Sequence, residues 1–99
     1  MKTSVKVAIV GLGRWSKVLT TAAQKSSKIQ IVAGYSRSQE KRDDFTRNFG
    51  IETVNNLEDI LKNKEIKGVI ITVPNEQHYS VAKKVAEAGK HIYTEKPIS

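Results

Sequence analysis

The sequence contains no cysteine, so disulfide bridges and thiolate metal sites are excluded. It also lacks an apolar run long enough to cross a bilayer, and its first residues show neither the apolar core nor the cleavage site of a signal peptide. No group of His, Asp and Glu residues has the spacing of a metal site. We therefore expect a cytoplasmic protein that binds neither a metal nor a membrane.

Acidic residues are scarce in the first half of the chain. Residues 1–50 contain ten Lys or Arg against three Asp or Glu, whereas residues 51–99 contain seven of each, and the net charge is +7. A positive field in the first half favours an anionic ligand, and both phosphate-bearing cofactors and nucleic acids qualify. The 99 residues can form one domain at most, with an ordinary hydrophobic content of 38%.

Strand and helix patterns alternate along the whole chain. Short apolar runs predict five strands, at Val5–Val10, Ile29–Tyr35, 52–54, the segment KGVIITVPN up to Pro74, and His91–Thr94. Four helices are predicted between them, over 14–27, from the cap Ser38 to Gly50, after the cap Asn56, and from the cap Asn75 to Gly89. Because such alternation requires crossover connections, the sequence predicts an α/β fold with a doubly wound parallel sheet in three layers.

Each predicted helix carries apolar residues at helical spacing, which we expect to face the sheet. They are Val18, Leu19, Ala22 and Ala23 in the first helix, Phe45 and Phe49 in the second, Leu57, Ile60 and Leu61 in the third, and Val81, Ala82, Val85 and Ala86 in the fourth.

The first strand runs directly into a glycine turn, in the segment VAIVGLGRWS at residues 7–16. Gly11 permits a tight turn, and Gly13 lets a pyrophosphate approach the backbone at the start of a helix. Ser16 stands where the dinucleotide motif G-x-G-x-x-G has its third glycine, and it is small enough to replace it. The rival phosphate loop needs Ser or Thr after Lys17, where this chain has Val18. A plain turn that uses glycine only for its geometry remains an alternative.

The second strand ends in polar and basic residues. Dinucleotide folds usually place an Asp or Glu here to bind the ribose hydroxyls, but this chain has Ser36, followed by Arg37, Ser38 and Arg42. Serine and arginine can donate to a 2′-phosphate, so we expect NADP(H) to be preferred, with NAD(H) possible. In the alternative interpretation, Ser36 and Ser38 cap the helix and the basic residues form a solvated face.

The last third of the chain contains three short motifs. They are Pro74, Asn75 and His78 after the fourth predicted strand, then A-G-K-H at 88–91, then Glu95, Lys96 and Pro97. This part of the chain resembles the Gfo/Idh/MocA family of NAD(P)-dependent oxidoreductases, whose members carry T-P-N-x-x-H, then A-G-K-H, then E-K-P. With the glycine turn, the resemblance covers nearly the whole chain and implies a Rossmann-type doubly wound parallel sheet of about five strands.

The resemblance also implies which residues act. The family's E-K-P lysine lies beside the nicotinamide and the substrate and assists proton transfer, which makes Lys96 the candidate catalytic residue. The implied cofactor contacts are Gly11, Leu12, Gly13, Arg14, Trp15, Thr72, Val73, Pro74, Asn75, His78, Glu95 and Lys96. For Asn75 and His78, a purely structural role at the start of a helix remains an alternative.

Relatives carry a second domain that supplies most of the substrate pocket and the oligomer interface. We therefore expect residues 1–99 to be a truncated NAD(P)-binding domain that is inactive alone, from a homo-oligomeric enzyme acting on a sugar, a polyol or a related hydroxyl or carbonyl compound. A non-catalytic NADP(H)-binding sensor or scaffold would share the fold but would not need E-K-P. A nucleic-acid-binding domain is disfavoured because no recognition motif accompanies the basic residues, and a methyltransferase would leave E-K-P unexplained.

Overall fold

The computed structural model describes residues 5–25, 28–72 and 75–94, within which strands and helices alternate as the sequence predicts. The elements are β1 (Val5–Val10), α1 (Arg14–Gln24), β2 (Ile29–Tyr35), α2 (Gln39–Phe49), β3 (Thr53–Val54), α3 (Glu58–Leu61), β4 (Gly68–Ile71), α4 (Asn75–Glu87) and β5 (His91–Thr94).

All five described strands form one parallel sheet in the order β3-β2-β1-β4-β5. The chain builds outwards from β1 in one direction through β2 and β3, and then crosses to the other side of β1 for β4 and β5. The order therefore reverses between β1 and β4, which defines the switch point of a doubly wound fold. The predicted Rossmann-type α/β architecture is confirmed.

The side chains of β1 alternate between two apolar layers, because successive residues of a strand point to opposite faces. Val7 and Ile9 pack in a cluster with residues of α1 and α2, including Leu19 and Phe45. Ala8 and Val10 pack in the other cluster, with residues of α3 and α4 that include Ile60, Val81 and Val85. The sheet is thus covered on both faces, in the three layers that the sequence predicts.

The buried face of α1 differs from the prediction. Val18 is 50% exposed and Ala22 is also exposed, whereas Ser16 and Thr20 are completely buried. Leu19 and Ala23 pack against the core as expected. Ser16 and Thr20 are four positions apart and lie on the same side of α1, so this side of the helix is buried.

Several boundaries also differ. α1 ends at Gln24 with Lys25 as its C-cap, before the predicted end at residue 27, and β4 stops at Ile71 rather than continuing to Pro74. α4 includes Asn75, which the sequence interpretation placed before the helix as its cap. In α4, Val85 is buried as predicted but Ala86 is exposed. No helix in the described parts of the chain is long and apolar enough to cross a membrane.

The predicted caps of the two middle helices are present. The Ser38 hydroxyl accepts a hydrogen bond from the Lys41 N–H at 3.3 Å at the start of α2, and Gly50 ends that helix with φ +67°. The Asn56 side chain accepts from the Asp59 N–H at 3.0 Å at the start of α3. Local sequence signals therefore set these helix ends.

Candidate functional site

A cleft of about 760 Å³ opens at the carboxyl ends of β1, β2 and β4. It lies at the switch point, where the helices that follow β1 and β4 leave to opposite faces of the sheet. Its described lining residues are Val10, Gly11, Leu12, Gly13, Tyr35, Ser36, Arg37, Ser38, Lys41, Leu57, Thr72, Ser80, Val81 and Lys84. The surface has two other depressions, of about 590 and 760 Å³. Among the described residues, the glycine turn and the loop after β2 line only the first cleft together.

Gly11 is required by the fold itself. Its φ of +96° is rare for any other residue, and its N–H donates to the Tyr35 carbonyl at 2.8 Å. A Cβ atom at this position would lie 2.7 Å from Thr72 Oγ1 and 3.0 Å from the Thr72 carbonyl carbon. The turn passes so close to the end of β4 that no side chain fits.

Gly13, in contrast, is not required by any packing in the described structure. Its backbone is extended, with φ −84° and ψ −161°, and a Cβ atom there would meet nothing within 4 Å. Gly13 lines the cleft, so the side chain that it lacks would occupy open space beside the turn. A pyrophosphate would need such open space in order to reach the backbone.

The start of α1 is suited to an anion. Its N-cap, Gly13, provides no side-chain hydrogen bond, and its first turn contains no acidic residue. The first N–H groups of a helix have no partners within the helix, and they carry partial positive charge. Ser16, at the third position of the glycine motif, is fully buried and its hydroxyl donates to the Gly13 carbonyl at 2.6 Å.

The loop after β2 is held together by its own polar groups. The Ser38 hydroxyl caps α2, as the alternative interpretation has it, whereas the Ser36 hydroxyl accepts from the Ser38 N–H at 3.2 Å and stabilises the loop before the helix. Arg42 donates to the Ser36 carbonyl at 2.6 Å and does not line the cleft, so its direct contact with a cofactor stays a prediction. Arg37 is exposed and does line the cleft, together with Ser36 and Ser38.

A family model described as "oxidoreductase family, NAD-binding Rossmann fold" matches residues 5–99. The chain belongs to the Gfo/Idh/MocA family. It is the NAD-binding Rossmann domain of a family of oxidoreductases, as the sequence motifs imply.

Individual proteins similar to this chain support its assignment to the family. The chain is 34% identical to an uncharacterised oxidoreductase of Synechocystis sp. over 97% of its own length and 26% of the relative's. A crystal structure from Desulfitobacterium hafniense, assigned as an NADPH-dependent oxidoreductase, is 43% identical with a TM-score of 0.92, over 100% of this chain and 29% of that one. The scyllo-inositol dehydrogenase of Lactobacillus casei is 30% identical with a TM-score of 0.86, over 100% of this chain and 30% of that one.

The family motifs fall partly outside the described structure. Val73, Pro74, Glu95 and Lys96 lie outside the described residues, as do the side chains of Arg14, Trp15, Asn75 and His78. The backbones of Arg14 and Trp15 form the first turn of α1, and those of Asn75 and His78 form the first turn of α4. The predicted roles of these eight residues stay predictions.

Thr72 lies where the sequence interpretation places it, at the end of β4 and in the cleft. Its N–H donates to the Val10 carbonyl at 2.8 Å. Its hydroxyl oxygen lies 2.7 Å from the Gly11 carbonyl oxygen and 3.1 Å from that of Val10. A hydroxyl has one proton to donate, and the shorter distance assigns the bond to Gly11.

Seven of the described lining residues were not among the predicted site residues: Val10, Tyr35, Lys41, Leu57, Ser80, Val81 and Lys84. Ser80 and Lys84 are four positions apart on α4 and share one face of that helix. No sequence motif marks them, because the face of α4 that borders the cleft depends on how the helix packs on the sheet.

The charge of the cleft is positive. Arg37, Lys41 and Lys84 line it, and no Asp or Glu occurs among its described lining residues. Just outside, Lys17 of α1 contacts Asp44 of α2, with 2.8 Å between Nζ and Oδ2. The hydrogen bond from Lys17 lowers the pKa of the Asp44 carboxyl, and this contact joins α1 to α2.

The lysine of the A-G-K-H motif has a different position. Lys90 directly precedes β5, at the amino ends of the strands and away from the cleft, and its ammonium donates to the carbonyls of Asn63 at 2.8 Å and Ile66 at 2.7 Å. Burial, followed by the positive charge of Lys67, lowers the Lys90 pKa. This family motif therefore contributes a structural contact between the α3–β4 loop and the start of β5.

Proposed function

We propose that the chain is the cofactor-binding domain of an NADP(H)-dependent oxidoreductase that acts on a hydroxyl or carbonyl group of a sugar, a polyol or a related compound. The observation that carries the proposal is the open space beside Gly13, next to an uncapped helix start in a positively charged cleft. The chain belongs to an oxidoreductase family, and a relative that acts on scyllo-inositol supports the substrate class.

The pyrophosphate is proposed to lie across the glycine turn. Backbone N–H groups at the start of α1 would donate to its oxygens, and the helix dipole favours the negative charge there. Because Gly13 has no side chain, these oxygens can reach hydrogen-bonding distance of the backbone.

The 2′-phosphate of NADP(H) is proposed to lie against Arg37 and Lys41. Ser36 occupies the position where NAD-specific domains commonly have an acidic residue, and an acidic residue would repel a phosphate. Arginine can pair with a phosphate through two parallel N–H groups. The assignment of the relative from D. hafniense as NADPH-dependent supports the same preference.

When bound, the cofactor supplies the hydride acceptor or donor. By family resemblance, Lys96 would orient the substrate hydroxyl with its ammonium and assist the movement of the hydroxyl proton. The chain spans 29% of the relative from D. hafniense, so the remaining wall of the substrate pocket is proposed to come from a second domain of a homo-oligomeric protein. The 99 residues alone would then bind the cofactor without appreciable turnover.

The Gly13→Ala variant tests the cofactor site. Alanine fits at Gly13 without strain, so we expect thermal stability to be unchanged within error. Affinity for NADPH, measured by calorimetric titration, should fall by at least tenfold, about 1.4 kcal/mol, because the methyl group occupies the space of the pyrophosphate. Unchanged affinity would favour the plain structural turn and contradict the proposal.

A charge-matched pair of variants tests the choice of nucleotide. Arg37→Ala should weaken NADPH binding and leave NADH binding within twofold, since only NADPH carries the 2′-phosphate. Lys62→Ala removes an equal charge at the end of α3, outside the cleft, and should change neither affinity. Tighter binding of NADH than of NADPH by the unaltered protein would overturn the assignment of NADP(H).

A further inference from the structure

Two side-chain hydroxyls hold the carbonyl groups of both glycines in the turn. The Thr72 hydroxyl, at the end of β4, donates to the Gly11 carbonyl at 2.7 Å. The Ser16 hydroxyl, in the first turn of α1, donates to the Gly13 carbonyl at 2.6 Å. Ser16 is completely buried, whereas Gly13 is half-buried at the cleft. The turn is therefore held from the strand side and from the helix side.

Fixing a carbonyl also fixes the next amide. The peptide unit is planar and almost always trans, so the C=O of one residue and the N–H of the next point in opposite directions. The Thr72 bond thus sets the direction of the Leu12 N–H. The Ser16 hydroxyl, together with the Ser16 N–H that donates to the same Gly13 carbonyl at 3.2 Å, sets that of the Arg14 N–H. These two amides flank Gly13, the residue beside which the cleft has open space.

We propose that Ser16 and Thr72 are positioning residues for the cofactor, and that their hydroxyls form a clamp that orients the amides of Leu12 and Arg14 towards the pyrophosphate before it binds. This inference rests on the proposed cofactor site. It also gives Ser16 a role beyond that of a small substitute for glycine, because a glycine at position 16 has no hydroxyl to donate. Donors that are already oriented bind more tightly, since ordering them costs no free energy on binding.

The matched variants are Thr72→Val, which keeps the shape but removes the donor, Thr72→Ser, which keeps the donor, and Ser16→Ala. One probe is NADPH. The other is adenosine 2′-monophosphate, which keeps the base, the ribose and the 2′-phosphate but has no pyrophosphate. We expect Thr72→Val and Ser16→Ala each to weaken NADPH binding about threefold to tenfold, the range that corresponds to one net hydrogen bond.

Binding of adenosine 2′-monophosphate should stay within twofold in every variant, and Thr72→Ser should bind NADPH like the unaltered protein. Thr46→Val is the matched control, since the Thr46 hydroxyl also donates to a backbone carbonyl, that of Ile51 at 2.9 Å, but lies outside the cleft. It should leave both affinities unchanged.

A second measurement separates positioning from direct contact with the cofactor. Backbone ¹⁵N relaxation in the ligand-free protein should show a lower order parameter for the Leu12 amide in Thr72→Val than in Thr72→Ser. If Thr72 instead contacts the cofactor directly, the ligand-free order parameters will be equal, and that result overturns the clamp.

The other possible results of these experiments also test the clamp. Equal losses of affinity for the two probes would mean that the hydroxyls act on the whole cleft, and unchanged NADPH affinity would mean that the turn does not need them. Either result refutes the clamp while leaving the cofactor site intact. Failure of the unaltered protein to bind NADPH or NADH would instead refute the proposed function, and the clamp with it. If Thr72→Val does not fold, Ser16→Gly provides the test from the helix side, with the same expected loss.

Discussion

Replacing Gly11 with alanine should destabilise the fold more than any other glycine substitution at positive φ in the described chain. The backbone at Gly11 has φ +96°, and holding an L-residue in the left-handed region costs roughly 1–2 kcal/mol. The new Cβ atom would also lie 2.7 Å from Thr72 Oγ1 and 3.0–3.1 Å from the backbone carbonyl group of Thr72. A backbone group cannot rotate away, so overpacking adds about 1–3 kcal/mol.

The expected decrease in the free energy of unfolding is therefore about 2–5 kcal/mol. The measurement is urea unfolding followed by circular dichroism. Gly50→Ala and Gly89→Ala are matched controls, because both glycines have positive φ but a Cβ atom at either would meet nothing within 4 Å. Each control should lose only about 1 kcal/mol, the conformational part of the effect.

The difference between Gly11→Ala and the controls isolates the contact with Thr72. Adding Thr72→Ala to Gly11→Ala removes the hydroxyl oxygen but leaves the backbone contacts, so it should recover part of the loss, with a coupling of about 0.5–3 kcal/mol. If Gly11→Ala and Gly50→Ala have the same free energy of unfolding, the contact with Thr72 does not exclude a side chain at position 11, and the reasoning is refuted.

Two further variants probe the helices that border the cleft. Thr20 is completely buried, and its hydroxyl has no hydrogen-bond partner among the described residues. Thr20→Val should therefore stabilise the fold by about 1–2 kcal/mol. A lower melting temperature of the variant would contradict this prediction. Lys17 lowers the pKa of Asp44 in the folded protein. The ion pair therefore stabilises the fold at a pH above the pKa of the unfolded carboxyl, near pH 4. This stabilisation is lost as the pH falls through the lower pKa of the folded protein. The stability difference between the unaltered protein and Asp44→Asn should accordingly shrink between pH 6 and pH 2 in unfolding curves, whereas a constant difference would exclude the ion pair as its cause.

The order of elements could be predicted because each one carries a local signal. The run Val5–Val10 is apolar except for Lys6, since β1 is the central strand and its residues 7–10 are buried. Ser38, Gly50 and Asn56 mark helix ends through hydrogen bonds or dihedral angles that involve only neighbouring residues. Such signals are present in the sequence whether or not the rest of the fold is known.

Features that depend on packing could not be predicted in the same way. Helical spacing identified an apolar stripe on α1, yet Val18 is exposed and Thr20 is buried, because the rotation of the helix on the sheet decides which side is covered. Lys84 borders the cleft through the rotation of α4 on the sheet, for which the sequence has no marker. Arg42 donates to the Ser36 carbonyl at 2.6 Å, a bond that no sequence pattern marks, and its contact with the cofactor stays a prediction.

The two glycines of the turn have different reasons to be glycine, although a motif search treats them alike. At Gly11 the reason is the protein itself, since φ and the contact with Thr72 exclude a side chain whether or not a ligand binds. At Gly13 neither the backbone nor the packing of the described residues excludes one, which is what the proposed pyrophosphate site requires. A relative with alanine at the first position should therefore fold poorly, whereas one with alanine at the second should keep this fold and lose the nucleotide. We therefore expect the second glycine, rather than the third position where this chain has Ser16, to distinguish a nucleotide-binding domain from a scaffold with the same architecture.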